Sequence, residues 1–507
     1  MSGPVADAPC GRIRGTFGTP AAGNPGATDV LRFDGIPFAA PPTGARRFLP
    51  PTAPAPFDGV LDATRPAPAP PQGPGPALGT RPVGATSEDC LHLNVVTPSL
   101  EGSRPVLVWI YGGGFVNGSA ADPLHAGERL VARGDLVLVT FDYRLGALGF
   151  LHDPDHPNLG LLDQIAALRW VRAQIGAFGG DPERVTLFGE SAGAMSIRAL
   201  MATPAADELF AAAILQSGAA LGVMSPAGAA RVRECFGETV GSREPDDWRR
   251  LSVAALLEAQ ATTGAQIRAE TGSGAWRPVV DGELVHTSGE EAQARAVNRQ
   301  RPVLIGMNAD EQRLFVNLRH PMRREDAAAR LARALAGRTD DPDAAAHELL
   351  GAYARLDPEA SEAQRLAAAE TDLYYRIPML RLCAARAGAP APTFQYLFAW
   401  PSPALRGRLG ACHALEVPFV FGTLDAPGMD RFAGNDAAAR GLSDAMIDAW
   451  AAFAHQGTPE CAAARDWRPW TPADRACWVA DRAPHTRAAA GEETLDAWRS
   501  LWPSAPI

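Results

Sequence analysis

The chain has 507 residues, of which 46% are hydrophobic and 21% charged, with a formal net charge of -10. These fractions are those of an ordinary globular protein, and the acidic balance argues against nucleic acid or an anionic membrane surface as a partner. All 47 basic residues other than histidine are arginine, a bias expected of a high-GC bacterial coding sequence.

The first residues, Met1 to Asp7, have no basic start followed by an apolar core, so no signal peptide is read there. No run of about 18 apolar residues offers a membrane span. Seven cysteines stand singly along the chain, which suits reduced thiols and a cytoplasmic setting. Length alone allows several domains, but no clear linker divides the sequence. Residues 1–507 are read as one domain, with helical insertions at about 220–300 and 316–390.

Residues 51–86 are dense in Pro, Ala and Gly, and composition alone makes them a flexible linker. From 103 to 220, buried-strand and helix patterns alternate, as in an α/β protein with a mostly parallel sheet. Strands are predicted at Pro105–Ile110, ending in Gly112-Gly113-Gly114, and at Leu136–Phe141. Asp163 to Phe178 has helical apolar spacing through Ile165, Leu168, Val171 and Ile175. Val185–Phe188 is a further strand, and it runs directly into Gly189-Glu190-Ser191-Ala192-Gly193. More strands are predicted at Ala213–Leu215, Pro302–Ile305 and Thr393–Phe398, with several helices between 323 and 371.

Gly-x-Ser-x-Gly between a strand and a helix is the pattern of a nucleophile elbow, which holds a serine hydroxyl out into a cleft. A serine hydroxyl is a weak nucleophile at neutral pH and needs a base, a carboxylate to orient that base, and donors for the developing oxyanion. In this setting the chain order is serine, acid, histidine. Asp310 and Glu311, just beyond the strand at 302–305, are the candidate acids, and spacing alone does not choose between them. Of His320, His347, His413, His455 and His485, His413 is the best candidate base, since it follows a strand within a glycine-containing loop. The backbone N–H of Ala192 and amides of the Gly112–Gly114 turn are the expected oxyanion donors.

Phe33-Asp34-Gly35-Ile36-Pro37-Phe38-Ala39, Ser87-Glu88-Asp89-Cys90-Leu91-His92-Leu93-Asn94, Phe178-Gly179-Gly180-Asp181-Pro182 through Gly193, and His413-Ala414-Leu415-Glu416-Val417-Pro418-Phe419 together resemble the signatures of the type-B carboxylesterases. These form the cholinesterase-related branch of the α/β-hydrolases, and the likeness spans nearly the whole chain. It implies a central, mostly parallel sheet flanked by helices, with helical insertions over the active site. It implies Ser191 as nucleophile, Glu311 as acid and His413 as base, with Gly113, Gly114 and Ala192 as the oxyanion hole. It further places Phe115, Leu314 and Phe315 along the substrate gorge. No metal or organic cofactor is implied, and the partner is a small-molecule ester.

The chain departs from that family at several points. Cys90 has no cysteine twenty to thirty residues upstream, Cys10 being the only earlier one, so Cys90 is expected as a free thiol. Residues 58–89 contain no aromatic side chain, which argues against cholinesterase activity. Asp142 stands where the family usually has Asn, and Gln312 where it usually has Gly. His413, Glu416 and Cys412 lack the further ligands a metal site needs. The leading expectation is ester hydrolysis through an acyl-enzyme. Its competitors are amide or carbamate hydrolysis or acyl transfer on the same residues, and a non-catalytic scaffold of the same fold.

Overall fold

A computed structural model describes residues 3–18, 30–74, 84–220, 222–287, 300–316 and 318–501. Its centre is an 11-stranded sheet. From one edge to the other the strands are Thr16–Gly18, Val30–Pro37, His92–Thr97, Val137–Phe141, Arg104–Ile110, Gly180–Glu190, Ala212–Gln216, Val303–Asn308, Thr393–Phe398, Ala476–Ala480 and His485–Ala488. The strands from Val137–Phe141 to Ala476–Ala480 are mutually parallel, and the outer pairings are antiparallel. This is the α/β-hydrolase architecture. The central strands read as unbroken apolar runs because helices cover the sheet and no face is left to water. Every residue of Val137–Phe141 and of Val303–Asn308 is buried.

Each predicted strand is present. The helix expected at Asp163–Phe178 starts earlier, at Leu159, and closes in a 3-10 turn at Ile175–Phe178. Its entry residue, Asn158, has a left-handed backbone, and its side chain bonds Val279 and Asp281 instead of capping the helix. The asparagine is an ordinary start residue, but its side chain is committed to another segment.

Helices Arg324–Leu335, Pro342–Leu356 and Glu362–Thr371 pack on one another, and the last of them meets the turn Glu311–Leu314. Helices Pro226–Val240 and Val253–Thr271 form a second packed pair. Part of the segment between that pair and the strand at 303, residues 288–299, lies outside the described residues.

The described part of 51–86 is not a flexible linker. Val60–Asp62 pairs in parallel with Gly11–Arg14, and Ala69 bridges Thr86. The buried Gln72 donates to the Gly118 carbonyl at 2.8 Å and accepts from the Gly118 N–H at 3.0 Å. Proline-rich composition resembles that of a linker because it favours extended chain. Here the extended chain finds hydrogen-bond partners on the body of the protein. Residues 75–83 lie outside the described residues. Among the described residues no helix is long and apolar enough to cross a membrane.

Candidate active site

The strand Gly180–Glu190 delivers Ser191 to the start of helix Ala192–Leu200. Ser191 has φ 55° and ψ -122°, a conformation that costs a non-glycine residue about 1–3 kcal/mol and persists only where its surroundings enforce it. The enforcement is steric. A Cβ on Gly193 would lie 1.8 Å from the Ile110 carbonyl oxygen, and one on Gly189 would lie 2.6 Å from it. Both glycines are required for the elbow to pass beneath the end of the neighbouring strand. The Ser191 hydroxyl does not cap the helix that follows it.

After Ile110 the chain turns through Gly112–Gly114. Gly113 has φ 94°, and a Cβ there would sit 2.2 Å from the Asn117 carbonyl oxygen; its own carbonyl accepts from Val116 and Asn117. Gly114 has φ 63°. Among the described hydrogen bonds, the N–H groups of Gly113, Gly114 and Ala192 have no acceptor. Three uncommitted amides flank the serine, which is what a site for a developing oxyanion needs.

Glu311 is fully buried, and its Oε2 lies 2.6 Å from His413 Nδ1. Its other oxygen accepts the Asn308 N–H at 2.7 Å, and its backbone carbonyl accepts the His413 N–H at 3.3 Å. Asp310 points elsewhere. It accepts the Ala411 N–H at 2.9 Å and pairs with Arg313 at 2.9 Å, holding the histidine loop against the acid turn. The acid in contact with the imidazole is therefore Glu311, and Asp310 closes the loop around it.

The far side of the ring holds a second contact. His413 Nε2 lies 3.0 Å from Glu190 Oε1, although that oxygen is poorly aligned for a hydrogen bond and the contact is one of charge. Among the described hydrogen bonds none joins His413 to the Ser191 hydroxyl. The carboxylate that meets Nε2 belongs to the residue immediately before Ser191. Burial works against a charged imidazole, but Glu190 and Glu311 outweigh it and hold the His413 pKa well above its ordinary value.

Activity that requires neutral His413 will then rise with pH, through an acid limb above the usual imidazole range. Glu190→Gln removes one of the two carboxylates, so kcat/KM in that variant is expected to reach its plateau at lower pH than in the wild type. An acid limb left in place would show that Glu190 does not govern the protonation of His413.

Beneath the pair lies a buried polar network whose function was not legible in the sequence. Glu416 accepts from Gln216 at 3.1 Å and from Asn308 at 2.7 Å, and Gln216 in turn accepts from Trp450 at 3.0 Å. Burial, then the charges of Glu190 and Glu311, push the Glu416 carboxyl up to about 8 despite those two hydrogen bonds. It is mostly neutral at pH 7, so the cluster need not hold a third negative charge. The spacing His413–Glu416 was a visible signal for it.

Of the expected gorge residues, Phe115 is buried edge-on against Phe150 and Leu314 is half-buried. Phe315 is 49% exposed, with its ring centroid 5.2 Å from that of His413. Of the three, Phe315 is the one in ring contact with the imidazole. Cys90 and the six other cysteines are free thiols. Among the described residues no group of His, Cys, Asp and Glu forms a metal-holding set.

A sheet of this order with a strand-turn-helix serine defines an α/β-hydrolase. The family model of the carboxylesterase family matches residues 2–498, and the chain belongs to that family. It is a carboxylic ester hydrolase of type B. It is 37% identical over 447 residues to a para-nitrobenzyl esterase of Bacillus subtilis strain 168, covering 85% of this chain and 87% of that one. It is 36% identical over 459 residues to a fumonisin B1 esterase of Sphingopyxis macrogoltabida, covering 87% and 81%. Among solved structures, a thermophilic PNB esterase superposes with a TM-score of 0.82 at 33% identity, over 97% of this chain and 99% of that one.

Proposed function

We propose that this chain cleaves carboxylic esters in two steps, through an acyl-enzyme on Ser191. The observation that carries this reading is the 2.6 Å pair of His413 Nδ1 with buried Glu311, whose imidazole presents Nε2 to the residue adjoining an uncapped, strained serine. His413 takes the hydroxyl proton as Ser191 Oγ attacks the ester carbonyl carbon. The N–H groups of Gly113, Gly114 and Ala192 receive the negative oxygen, and each such donor contributes about 3–4 kcal/mol of transition-state stabilisation. The C–O bond to the alcohol then breaks, and His413 returns the proton to the departing oxygen. Water repeats the cycle and releases the acid. Glu311 fixes the tautomer and orientation of the ring.

Phe315 supplies an apolar surface beside the imidazole, which suits a neutral ester with a hydrophobic group. The relatives named for a nitrobenzyl ester and for fumonisin B1 support an ester over an amide. Seven free thiols support a reducing, cytoplasmic setting.

Treatment with a fluorophosphonate is expected to stop turnover with one equivalent bound, and peptide mass analysis to place it on Ser191. A nitrophenyl ester should release a stoichiometric burst of nitrophenol, while the matching anilide is cleaved far more slowly. An unlabelled protein would favour a non-catalytic scaffold, and equal rates on ester and anilide would move the substrate class to amides.

A further inference from the structure

Helix Glu362–Thr371 does not continue regularly into Ile377–Ala385. Between them, Asp372–Arg376 forms a single π-helical turn. Such turns are rare and gather at functional sites, because the widened ring redirects side chains that a regular helix would aim elsewhere. This one is firmly anchored. Asp372 accepts from Arg376 Nε at 2.6 Å, from the Tyr353 hydroxyl at 2.5 Å and from the Thr494 hydroxyl, and Trp498 Nε1 donates to the Tyr353 hydroxyl at 2.8 Å. Residues from a neighbouring helix and from the last described helix thus brace a turn that carries no triad member.

The side chain this turn sends to the site is Tyr375. Its ring centroid is 5.3 Å from that of His413 at an interplanar angle of 54°, and Phe315 makes a near-matching contact at 5.2 Å and 54°. The Tyr375 hydroxyl meets Gln312 Nε2 at 3.5 Å, the outer limit of a hydrogen bond. The Gln312 N–H donates at 3.1 Å to Thr371 Oγ1, the residue immediately before the turn. Gln312 follows Glu311, so the acid and the tyrosine are tied to each other by the position at which the chain departs from the family's glycine.

We propose that Tyr375, tethered by Gln312, is a positioning residue for His413, restricting the imidazole to the arc between Glu190 and Ser191 while Glu311 holds Nδ1. This rests on the reading of His413 as the base. Nε2 lies against Glu190 and must reach Ser191 in the proposed reaction, and without lateral contacts the ring could leave both. An aromatic ring packed against it removes that freedom.

Steady-state kinetics on 4-nitrophenyl acetate, a substrate too small to depend on distant contacts, would test it in the full chain. Tyr375→Ala is expected to lower kcat roughly 10- to 100-fold, the scale of a misplaced catalytic group, with KM little changed. Tyr375→Phe, which keeps the ring, is expected to recover most of that loss, and Gln312→Ala to lower kcat by a smaller factor. Proton NMR gives an independent readout, since the short His413–Glu311 bond should show a low-field Nδ1–H resonance that broadens in Tyr375→Ala and persists in Tyr375→Phe. A rise in KM alone, or an unchanged kcat with an unchanged resonance, would overturn the proposal. Should Tyr375→Ala not fold, Tyr375→Leu and Gln312→Ala carry the same comparison. Unimpaired turnover in His413→Ala would instead remove the base assignment, which separates that failure from this one.

Discussion

Replacing Ser191 with alanine is expected to lower turnover of any ester substrate by about 10⁴-fold or more while leaving the fold in place. In the proposed mechanism the loss is large because the hydroxyl forms the acyl-enzyme, a role that neither His413 nor the backbone amides can take over. What remains is catalysis by the uncommitted amides and by binding alone. The fold should survive because the strain at position 191 belongs to the backbone. Alanine meets the same φ of 55°, and the serine side chain makes no capping bond whose loss would weaken the helix. Steady-state kinetics and thermal melts on the same preparation check both halves. Ester cleavage within tenfold of wild type would dismiss Ser191 as nucleophile, and a collapsed melt would show that the hydroxyl has a structural role.

Asp142→Asn is expected to stabilise the protein, and to do so only above acidic pH. The carboxylate is buried next to the end of strand Val137–Phe141, where its Oδ1 accepts the Ala120 N–H at 2.8 Å. The nearest arginine along the chain, Arg144, is already paired with Asp163 at 2.7 Å. Burial raises the Asp142 pKa from 3.8 to about 7, and hydrogen bonds from Ala120 and Tyr111 only partly oppose the rise. A group whose folded pKa lies above its unfolded value costs nothing below the unfolded value. The cost grows as pH climbs from about 4 to about 7 and is complete above that. Three pKa units correspond to roughly 4 kcal/mol as an upper bound. An asparagine keeps the acceptor for Ala120 and carries no charge to desolvate. Urea unfolding at pH 8 and at pH 4 should therefore show a gain for the variant at pH 8 that vanishes at pH 4. An equal change at both values would mean that the effect is one of packing.

The elbow was legible because all its information is local: strand, two glycines and helix lie within about a dozen residues. By spacing alone the candidate acid was legible only to within one residue, and the family resemblance pointed to Glu311. Glu311 and Asp310 are adjacent and chemically alike, and what separates them is the approach of Ala411, a hundred positions away. Gln72 was hidden in a segment whose composition reads as linker, since nothing in a proline-rich stretch announces which amide will meet a backbone partner. Glu416 and Asp142 carry perturbed protonation that no sequence pattern encodes, because desolvation depends on what the fold packs around a carboxyl. The π-helical turn at Asp372–Arg376 left no mark either. It reads as ordinary helix until the tertiary contacts of Asp372 are known.

The close approach of Ile110 to Gly193 has a mechanical consequence. With the carbonyl oxygen where a methyl group would otherwise be, the elbow and the strand that leads into the glycine turn cannot shift independently. Ser191 and the glycine turn at 112–114 are thereby coupled as one rigid block. Diversification toward new substrates then falls to helices such as Pro226–Val240 and Val253–Thr271, and not to the turn Asp372–Arg376, whose Tyr375 ring meets His413.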